Sequence, residues 1–304
     1  MYDIIIIGSG PAGYTGGLYS GRANMKTLLL EGEIPGGQLT TTTDIENFPG
    51  FKTIGGYDLM ENMKEQAEHN GCVCLNETAI NIEKKDNYFE IKTNKNTYET
   101  KTIILAMGAS ARKMEFKGSD VYWNKGISAC AVCDSALPIF RRKTLVVIGG
   151  GDSAMEEATF LSRFASKVII LVRSNKLRAS QAMINKVTSN PKIEILFNHQ
   201  IKEACGDELI KKIIVSTNDK EYEIECSGLF YAIGHNPNTD LVKDLVELKD
   251  NKYIKRQDFS TRTNLPGIFA AGDIIDDVYK QAITAAGSGC MASLDAIHYI
   301  EKKF

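Results

Sequence analysis

Long apolar runs, an excess of one charge and a dense set of cysteines are all missing from this 304-residue chain. No apolar stretch approaches the roughly 18 residues of a membrane span, and no basic, apolar leader precedes the run that starts at Tyr2. The 36 Lys and Arg residues nearly balance the 38 Asp and Glu residues, so no global field attracts nucleic acid or an anionic membrane. We therefore expect a cytosolic protein that binds neither.

Cysteines are few, and their number is odd. Seven are spread over a chain long enough for about two domains, which is not the pattern of an extracellular disulfide framework. Cys72 and Cys74 would point to the same face of a strand, and we interpret them as small core residues rather than a second redox pair. Cys205, Cys226 and Cys290 receive the same interpretation.

One cysteine pair is different. Cys130 and Cys133 lie three positions apart in a short polar turn, so they can cycle between dithiol and disulfide with little chain to order. The same spacing forms half of a zinc site, but no other Cys-x-x-Cys occurs and the four histidines stand far from the pair. The pair predicts redox chemistry and no metal, and such chemistry needs a source or sink of electrons.

Two glycine-rich segments are candidates for binding that source. The apolar run from Ile4 to Ile7 predicts a strand buried on both faces, and Gly8-Ser9-Gly10-Pro11-Ala12-Gly13 follows at once. This spacing allows a tight turn, close approach to a pyrophosphate, and a helix whose first N–H groups bind phosphate. The next predicted strand ends in Glu31, an acid placed to accept hydrogen bonds from a ribose.

The opening pattern repeats in the middle of the chain. Thr144 to Ile148 predicts a strand, and Gly149-Gly150-Gly151-Asp152-Ser153-Ala154 follows it. The chain later returns to an apolar strand that ends in Gly272 and Asp273, and to a helix-like tail. We predict an α/β fold of two Rossmann-like dinucleotide-binding domains, in which residues 114–244 are inserted into a discontinuous domain of residues 1–113 and 245–304.

Together these motifs resemble the low-molecular-weight thioredoxin reductases, class II of the pyridine nucleotide-disulfide oxidoreductase family. The likeness covers nearly the full chain and includes Gly36-Gly37-Gln38-Leu39-Thr40-Thr41-Thr42, Glu46-Asn47-Phe48-Pro49-Gly50 and Gln281-Ala282-Ile283-Thr284-Ala285-Ala286-Gly287. The most particular shared feature is the position of the redox pair, inside the second domain and just before its glycine loop.

The resemblance implies FAD in the first domain and NADPH in the second. The residues implied for FAD are Gly8, Gly10, Pro11, Ala12, Gly13, Glu31, Gly36, Gly37, Gln38, Asn47, Gly272, Asp273, Lys280, Gln281 and Ala282. The residues implied for NADPH are Gly149, Gly151, Asp152, Ser153, Ala154, Arg173, Arg178, Ile233 and Gly234. Because like charges repel, we expect Asp273 to hold ribityl or ribose hydroxyls rather than phosphate. We also expect a helix over 281–300 whose positive end faces the flavin.

Two positions depart from the family pattern. Ser174 stands where the family usually has an arginine, which leaves Arg173 and Arg178 for forked hydrogen bonds to a 2′-phosphate. We expect the protein to prefer NADPH over NADH, and we expect the missing arginine to make this preference weaker. Ser135 replaces the usual glycine after Cys-x-x-Cys-Asp; serine costs backbone freedom at a turn, and we expect only a local adjustment.

The predicted function is that of a thioredoxin-disulfide reductase, in which electrons pass from NADPH through FAD and the cysteine pair to thioredoxin. By resemblance Cys133 meets the flavin, Cys130 attacks the substrate and Asp134 is the acid and base; the alternative for Asp134 is a plain cap residue. One dithiol in a rigid protein cannot reach both a buried flavin and a protein disulfide, so we expect interdomain rotation. The family also implies a homodimer, and we interpret His235 as structural or interdomain.

Three alternatives differ in the motifs they require. A flavin-dependent dithiol oxidase keeps the cysteine pair but typically loses the second glycine motif, which is intact here. A reductase of a small-molecule disulfide stays open beside it. The ferredoxin NADP reductase type lacks the cysteine pair. A non-catalytic flavin redox sensor would have a damaged pair or a missing cofactor loop, and the sequence has neither.

Overall fold

The computed structural model describes residues 1–42, 44–217 and 220–304. It separates into two compact units: residues 1–110 with 236–304 form the first, and residues 111–235 form the second. The second unit is therefore inserted into the first. Within the described residues, no helix combines the length and the apolar character needed to cross a bilayer.

The boundaries between the units differ from those expected, most of all at the second crossing. Residues 236–244 belong to the first unit, because Val242 is fully buried in its core and the Asn238 amide donates to Met107 O at 2.8 Å. At the first crossing, residues 111–113 belong to the inserted unit, where Arg112 N donates to Gly234 O at 3.0 Å. Tertiary burial, rather than local composition, decides these boundaries.

Seventeen strands are found in the described part of the chain. In chain order they are β1 (Tyr2–Ile7), β2 (Thr27–Leu30), β3 (Val73–Leu75), β4 (Ala79–Lys84), β5 (Phe89–Thr93), β6 (Thr97–Leu105), β7 (Ala109–Ala111), β8 (Ile127–Ser128), β9 (Thr144–Ile148), β10 (Lys167–Val172), β11 (Ile193–Phe197), β12 (Gln200–Gly206), β13 (Ile210–Thr217), β14 (Lys220–Glu225), β15 (Gly228–Tyr231), β16 (His235–Pro237) and β17 (Ile268–Ala270). The helices are α1 (Pro11–Arg22), α2 (Gly56–His69), α3 (Ala131–Asp134), α4 (Asp152–Leu161), α5 (Gln181–Thr188) and α6 (Ala282–Lys303), with 3-10 turns at Gly37–Thr41 and Gly272–Ile274.

The first unit is built on a seven-stranded sheet of order β3-β2-β1-β6-β5-β4, in which β17 also pairs with β6. Strands β1, β2, β3, β6 and β17 are parallel, and β5 pairs antiparallel with both of its neighbours, β6 and β4. Alternate residues of β1 enter different cores: Ile4 and Ile6 pack with α1, α2 and α6, whereas Ile5 and Ile7 pack on the other face. Because both faces are covered, β1 is a continuous apolar run.

The second unit repeats this arrangement. Its parallel sheet has the order β11-β10-β9-β15-β8. Leu145 and Val147 of β9 pack with α4 and α5, and Val146 and Ile148 pack against an antiparallel sheet of order β12-β13-β14. The strands at the two chain crossings, β7 and β16, pair as a separate two-stranded sheet. In each unit a glycine loop follows the central strand, where open α/β sheets bind their ligands.

Candidate active site

Cys130 and Cys133 form a disulfide at the start of α3, with their Cα atoms 5.3 Å apart. Cys130 occupies the residue before the helix in an extended conformation, and its Sγ accepts a hydrogen bond from Cys133 N at 3.2 Å. Cys130 is half-buried and Cys133 is exposed. An N–H group directed at this sulfur stabilises a thiolate after reduction, which favours Cys130 as the attacking thiol.

The other five cysteines are free. Burial raises the pKa of Cys226 to about 12, and a hydrogen bond with Cys74 together with burial raises the pKa of Cys72. Cys72 also packs against α1, where a Cβ placed on Gly17 would lie 2.9 Å from its Sγ. Protonated thiols in such surroundings are poor nucleophiles, so Cys72 and Cys226 behave as the expected small core residues, whereas Cys74, Cys205 and Cys290 are only half-buried.

The carboxylate of Asp134 lies on the same short helix and is partly buried. Burial raises the pKa of Asp134, and a hydrogen bond from Ser128 offsets part of that rise. The net effect is a raised pKa, closer to neutral pH than that of an ordinary aspartate. That is the direction an acid and base at a thiol site requires.

Ser128 is a site residue that sequence reasoning missed. Its Oγ donates to Asp134 Oδ2 at 2.5 Å and accepts from Cys130 N at 3.0 Å. It is the last residue of β8 and only 5% exposed. The one signal in the sequence is its position two residues before Cys130, and nothing in that spacing predicts the bond to Asp134.

Ser135 has a different consequence from the one expected. Its backbone is right-handed helical, with φ −58° and ψ −26°, so the position does not need glycine and serine causes no backbone strain. The cost lies in the side chain: Ser135 is 1% exposed, and its Oγ has no hydrogen-bond partner in the described part of the chain. A buried hydroxyl without a partner destabilises the fold.

The first glycine loop has the backbone that a dinucleotide requires. Gly8 has φ +105°, and a Cβ there would lie 2.4 Å from Ala106 O; a Cβ on Gly13 would lie 1.9 Å from Gly8 O. Gly10, in contrast, faces open space, and no side chain caps the start of α1 after it. Uncapped N–H groups with free space in front of them fit the pyrophosphate of FAD; Pro11 and Ala12 form the first helical turn.

Glu31 lies at the end of β2 in a network that sequence reasoning did not foresee. Its Oε1 accepts from Tyr14 Oη at 2.8 Å and from Lys64 Nζ at 2.9 Å, and the residue is 4% exposed. Ser9 Oγ donates to Glu31 O at 2.8 Å and accepts from Gly36 N at 2.9 Å. These bonds hold the segment from Gly36 beside the glycine loop. The role of Glu31 toward a ribose stays a prediction.

Residues far apart in sequence meet in the same region of the first unit. Asn47 Nδ2 donates to Gln281 Oε1 at 3.4 Å, and Gln281 caps α6, whose first residue is Ala282. Gly272 has φ +79°, and a Cβ there would lie 2.9 Å from Ala12 Cβ. The Gln38 amide donates to Ala109 O, and Gly37 approaches the Cα of Gly10. Several of the residues predicted for FAD, distant in sequence, therefore lie close to one another.

Asp273, next to Gly272, carries the clearest electrostatic signature of this region. Burial first, and the neighbouring Asp276 second, raise the pKa of Asp273 to about 6, while Lys280 acts in the opposite direction. Lys280 itself has φ +49° and donates from Nζ to Asp277 O at 2.8 Å. A partly buried carboxylate of this kind gains from hydroxyl donors, which fits the ribityl or ribose contact expected for Asp273.

The second glycine loop has the same design. A Cβ on Gly149, whose φ is +153°, would lie 2.6 Å from Ala232 O and 2.8 Å from the buried Ala154. Gly151 faces open space, and no side chain caps α4. Asp152 is already engaged, because its Oδ1 accepts from Ser180 N and Ser180 Oγ at 2.8 and 2.9 Å. The loop fits a second pyrophosphate.

The cationic residues predicted for the 2′-phosphate lie close to this loop. Arg173 follows β10 and is exposed, and Arg178 N donates to Gly150 O at 2.7 Å. Ser174 Oγ donates to Lys176 O at 2.8 Å, so the segment between the two arginines is a hydrogen-bonded turn. Ser153 is exposed in the first turn of α4, and Ile233 and Gly234 follow β15. Within the residues that the structure describes, no group of three His, Cys, Asp or Glu side chains could hold a metal ion.

Comparisons with known proteins agree with this architecture. A family model described as pyridine nucleotide-disulphide oxidoreductase matches residues 2–289. Mitochondrial thioredoxin reductase 2 of Saccharomyces cerevisiae is 49% identical over 312 residues, 98% of this chain and 91% of that protein. The thioredoxin reductase of Schizosaccharomyces pombe is 48% identical over 98% of this chain and 97% of its own.

Solved structures give the same result. Thioredoxin reductases from Giardia duodenalis and Streptococcus pyogenes are 42% and 37% identical to this chain, with TM-scores of 0.93 and 0.94 over 99% of each chain compared. The predicted family and fold class are thus confirmed, and the chain belongs to the pyridine nucleotide-disulphide oxidoreductase family, among its low-molecular-weight thioredoxin reductases.

Proposed function

We propose that this chain is an NADPH-dependent thioredoxin reductase that uses FAD to transfer an electron pair to the Cys130–Cys133 disulfide, and that the resulting dithiol reduces thioredoxin. The observation that carries the proposal is the disulfide at the start of α3, which lies in the same unit as an uncapped dinucleotide loop. Relatives that bear the name thioredoxin reductase and cover nearly the whole chain support the substrate.

Bound FAD would supply a hydride acceptor for NADPH and a two-electron donor for the disulfide. In the first unit, the loop from Gly8 to Gly13 would hold the pyrophosphate, and Asp273 would accept hydrogen bonds from hydroxyls. In the second unit, the loop from Gly149 to Ala154 would hold NADPH, with Arg173 and Arg178 on the 2′-phosphate.

The thiol chemistry needs two exchange steps. The Cys130 thiolate attacks one sulfur of the thioredoxin disulfide, forming a mixed disulfide and releasing one thioredoxin thiolate. The Cys133 thiolate then attacks Cys130 Sγ, which restores the Cys130–Cys133 disulfide and releases the second thiolate. Asp134 would give its proton to the first departing thiolate, take the proton of the Cys133 thiol as that sulfur attacks, pass it to the second departing thiolate, and be protonated again when the pair is reduced. Two electrons and two protons reach thioredoxin in each cycle.

Three further features belong to the same proposal. Rotation between the units would let one dithiol serve both its electron donor and a protein substrate. A homodimer is implied by the family resemblance, and sedimentation of the purified protein tests it. A cytosolic location also stays a proposal; localisation of the tagged full-length protein in its own cell tests it.

The deciding experiment is an anaerobic titration of the purified flavoprotein with NADPH and separately with NADH, followed by oxidised thioredoxin. We expect NADPH to bleach the flavin and thioredoxin to restore its colour. Cys130→Ser should keep the bleaching by NADPH and lose the reoxidation by thioredoxin. Cys205→Ser, at a free, half-buried cysteine of the same unit, is the matched control and should behave as wild type.

Two outcomes would contradict the proposal. If NADPH bleaches the flavin but only oxygen or a small disulfide restores its colour, the protein is a dithiol oxidase or a small-molecule reductase. If neither nucleotide bleaches the flavin, the non-catalytic redox sensor becomes the better description.

A further inference from the structure

Among the residues that the structure describes, one hydroxyl connects the Asp134 carboxylate to the sheet of its unit, that of Ser128. The hydroxyl lies between two partners: it accepts from Cys130 N at 3.0 Å and is 2.5 Å from Asp134 Oδ2. An amide N–H can only donate, and an ionised carboxylate can only accept. The one proton of Ser128 is therefore directed at Oδ2.

We propose that Ser128 is a positioning residue for the thiol exchange: by occupying Oδ2 of Asp134 it assigns the transferable proton to Oδ1, and by accepting from Cys130 N it fixes that oxygen relative to the redox pair. This inference rests on the proposed function. When Asp134 is protonated, the oxygen that carries no proton remains the better acceptor. Oδ2 therefore keeps its bond to Ser128, and Oδ1 exchanges the proton with the thiolates.

The rigidity of this arrangement comes from the strand. Ser128 is 5% exposed and ends β8, where it pairs with Phe230 of the fully buried strand β15. Cys130 and Asp134 belong instead to a helix of four residues and its first flanking position. A helix this short has little stability of its own. The two hydrogen bonds of the Ser128 hydroxyl therefore hold Cys130 and Asp134 at a fixed position relative to the edge of the sheet.

The hydrogen bond from Ser128 is the influence on the pKa of Asp134 that a single substitution can remove. Burial and the Ser128 hydroxyl are the two causes acting on its pKa, in opposite directions, and no charged side chain of the described residues contributes. Loss of the hydroxyl therefore has a defined sign: the carboxylate loses its stabilising donor, and protonation becomes easier.

The test compares wild type, Ser128→Ala, Ser128→Thr and the control Ser162→Ala in steady-state turnover with thioredoxin and in the anaerobic reduction of the flavin by NADPH. Ser162 is as buried as Ser128, at 7%, and its hydroxyl likewise donates once, to Thr159 O, and accepts once, from Asn190 Nδ2. We expect Ser128→Ala to lower kcat/KM for thioredoxin about 10-fold or more, since positioned proton transfer contributes roughly 100- to 10,000-fold. Bleaching of the flavin by NADPH should stay within about twofold of wild type, since hydride transfer uses none of these atoms.

Two further measurements separate positioning from a structural role. The limb of the pH profile that reports Asp134 should move up by about one pH unit in Ser128→Ala, and Ser128→Thr, which keeps the hydroxyl, should recover both rate and profile. In an Asp134→Asn background, Ser128→Ala should cost almost nothing more, because the two residues act as one unit. Ser162→Ala should leave the rate and the profile unchanged.

Several results would overturn the inference. An unchanged pH profile in Ser128→Ala, or a loss that adds fully to that of Asp134→Asn, would show that Ser128 does not act through the carboxylate. If Ser128→Ala does not fold, a wild-type rate and profile in Asp134→Asn would have the same meaning. Failure of the proposed function is distinct, because wild-type protein itself would then leave thioredoxin oxidised.

Discussion

Replacing Asp273 by asparagine should have opposite effects on the FAD-free and the FAD-loaded protein. In the FAD-free protein, burial and Asp276 raise the pKa of Asp273 from an ordinary value of 3.8 to about 6. A raised pKa means that the folded state binds the proton more tightly than the unfolded state does. The folded protein is therefore penalised for the negative charge above pH 6, and the penalty disappears as the pH falls toward 3.8.

The size of the effect follows from the two pKa values. A tenfold change in proton affinity is about 1.4 kcal/mol, so the rise corresponds to about 3 kcal/mol at most. Because the Asp273 side chain is partly exposed, solvent screening reduces the expected gain to about 1 to 2 kcal/mol. Asp273→Asn removes the charge and should stabilise the FAD-free protein by that amount at pH 8 and by only about a third of it at pH 4.5.

The FAD-loaded protein should respond in the other direction. Hydrogen bonds to an ionised acceptor contribute about 1.5 to 3 kcal/mol, against about 1 for a neutral one. Asparagine keeps a carbonyl oxygen but loses the charge, so FAD should dissociate about 10-fold more readily. The same side chain would then oppose folding of the empty protein and favour the cofactor.

Urea unfolding of FAD-free protein at pH 4.5 and pH 8, together with FAD titration followed by flavin fluorescence, measures both effects. Asp277→Asn is the matched control: its carboxylate accepts from Lys249 Nζ at 2.9 Å, and the bonds with Lys249 and Asn251 overcome burial to lower the pKa of Asp277. That variant should lose stability at pH 8. A destabilised Asp273→Asn, or a gain equal at both pH values, would refute the reasoning.

Ser135→Ala removes a buried hydroxyl without a hydrogen-bond partner in the described residues and should raise the free energy of unfolding by about 1 kcal/mol. Ser135→Gly should lose most of that gain, because glycine is disfavoured in helical backbone. A destabilised Ser135→Ala would mean that the hydroxyl is hydrogen-bonded. The Cβ added by Gly151→Ala lies in open space, so this variant should keep its free energy of unfolding within about 0.5 kcal/mol of wild type and bind NADPH more weakly. The Cβ added by Gly149→Ala would lie 2.6 Å from Ala232 O, so this variant should be destabilised. Equal stabilities of the two variants would contradict the loop geometry. Arg173→Ala should weaken NADPH binding about 10-fold or more with little effect on NADH; equal losses in parallel titrations would mean that the 2′-phosphate is read elsewhere.

The glycine loops and their strands could be predicted from local sequence. The predicted strand over 144–148 is β9, residue for residue, and the helix expected over 281–300 is α6, Ala282–Lys303. These segments are local: a continuous apolar run followed by glycine admits few alternatives. The expected boundary near residue 244 differs from the division at residue 236, because the apolar positions of the segment around Val242 pack with distant strands in the core of the first unit.

The contacts that hold the site together were not predictable in the same way. Lys64 lies 33 positions from Glu31 and reaches it because residues of α2 and Leu29 of β2 pack into the same core cluster. Sequence patterns give the face of a helix but not the partner of one side chain on it. The same holds for Asn47 and Gln281, 234 positions apart, whose contact depends on how the loops close over the sheet.

Each unit contains a buried serine whose hydroxyl bridges a hydrogen-bond donor and a hydrogen-bond acceptor. Ser9 donates to Glu31 O and accepts from Gly36 N, just as Ser128 donates to Asp134 and accepts from Cys130 N. Each hydroxyl has one donor and one acceptor partner, so neither can rotate without leaving a buried group unpaired, at a cost of about 1 to 3 kcal/mol. The geometry of the redox pair is therefore set by the edge of the sheet, because a four-residue helix cannot hold a carboxylate in place by itself.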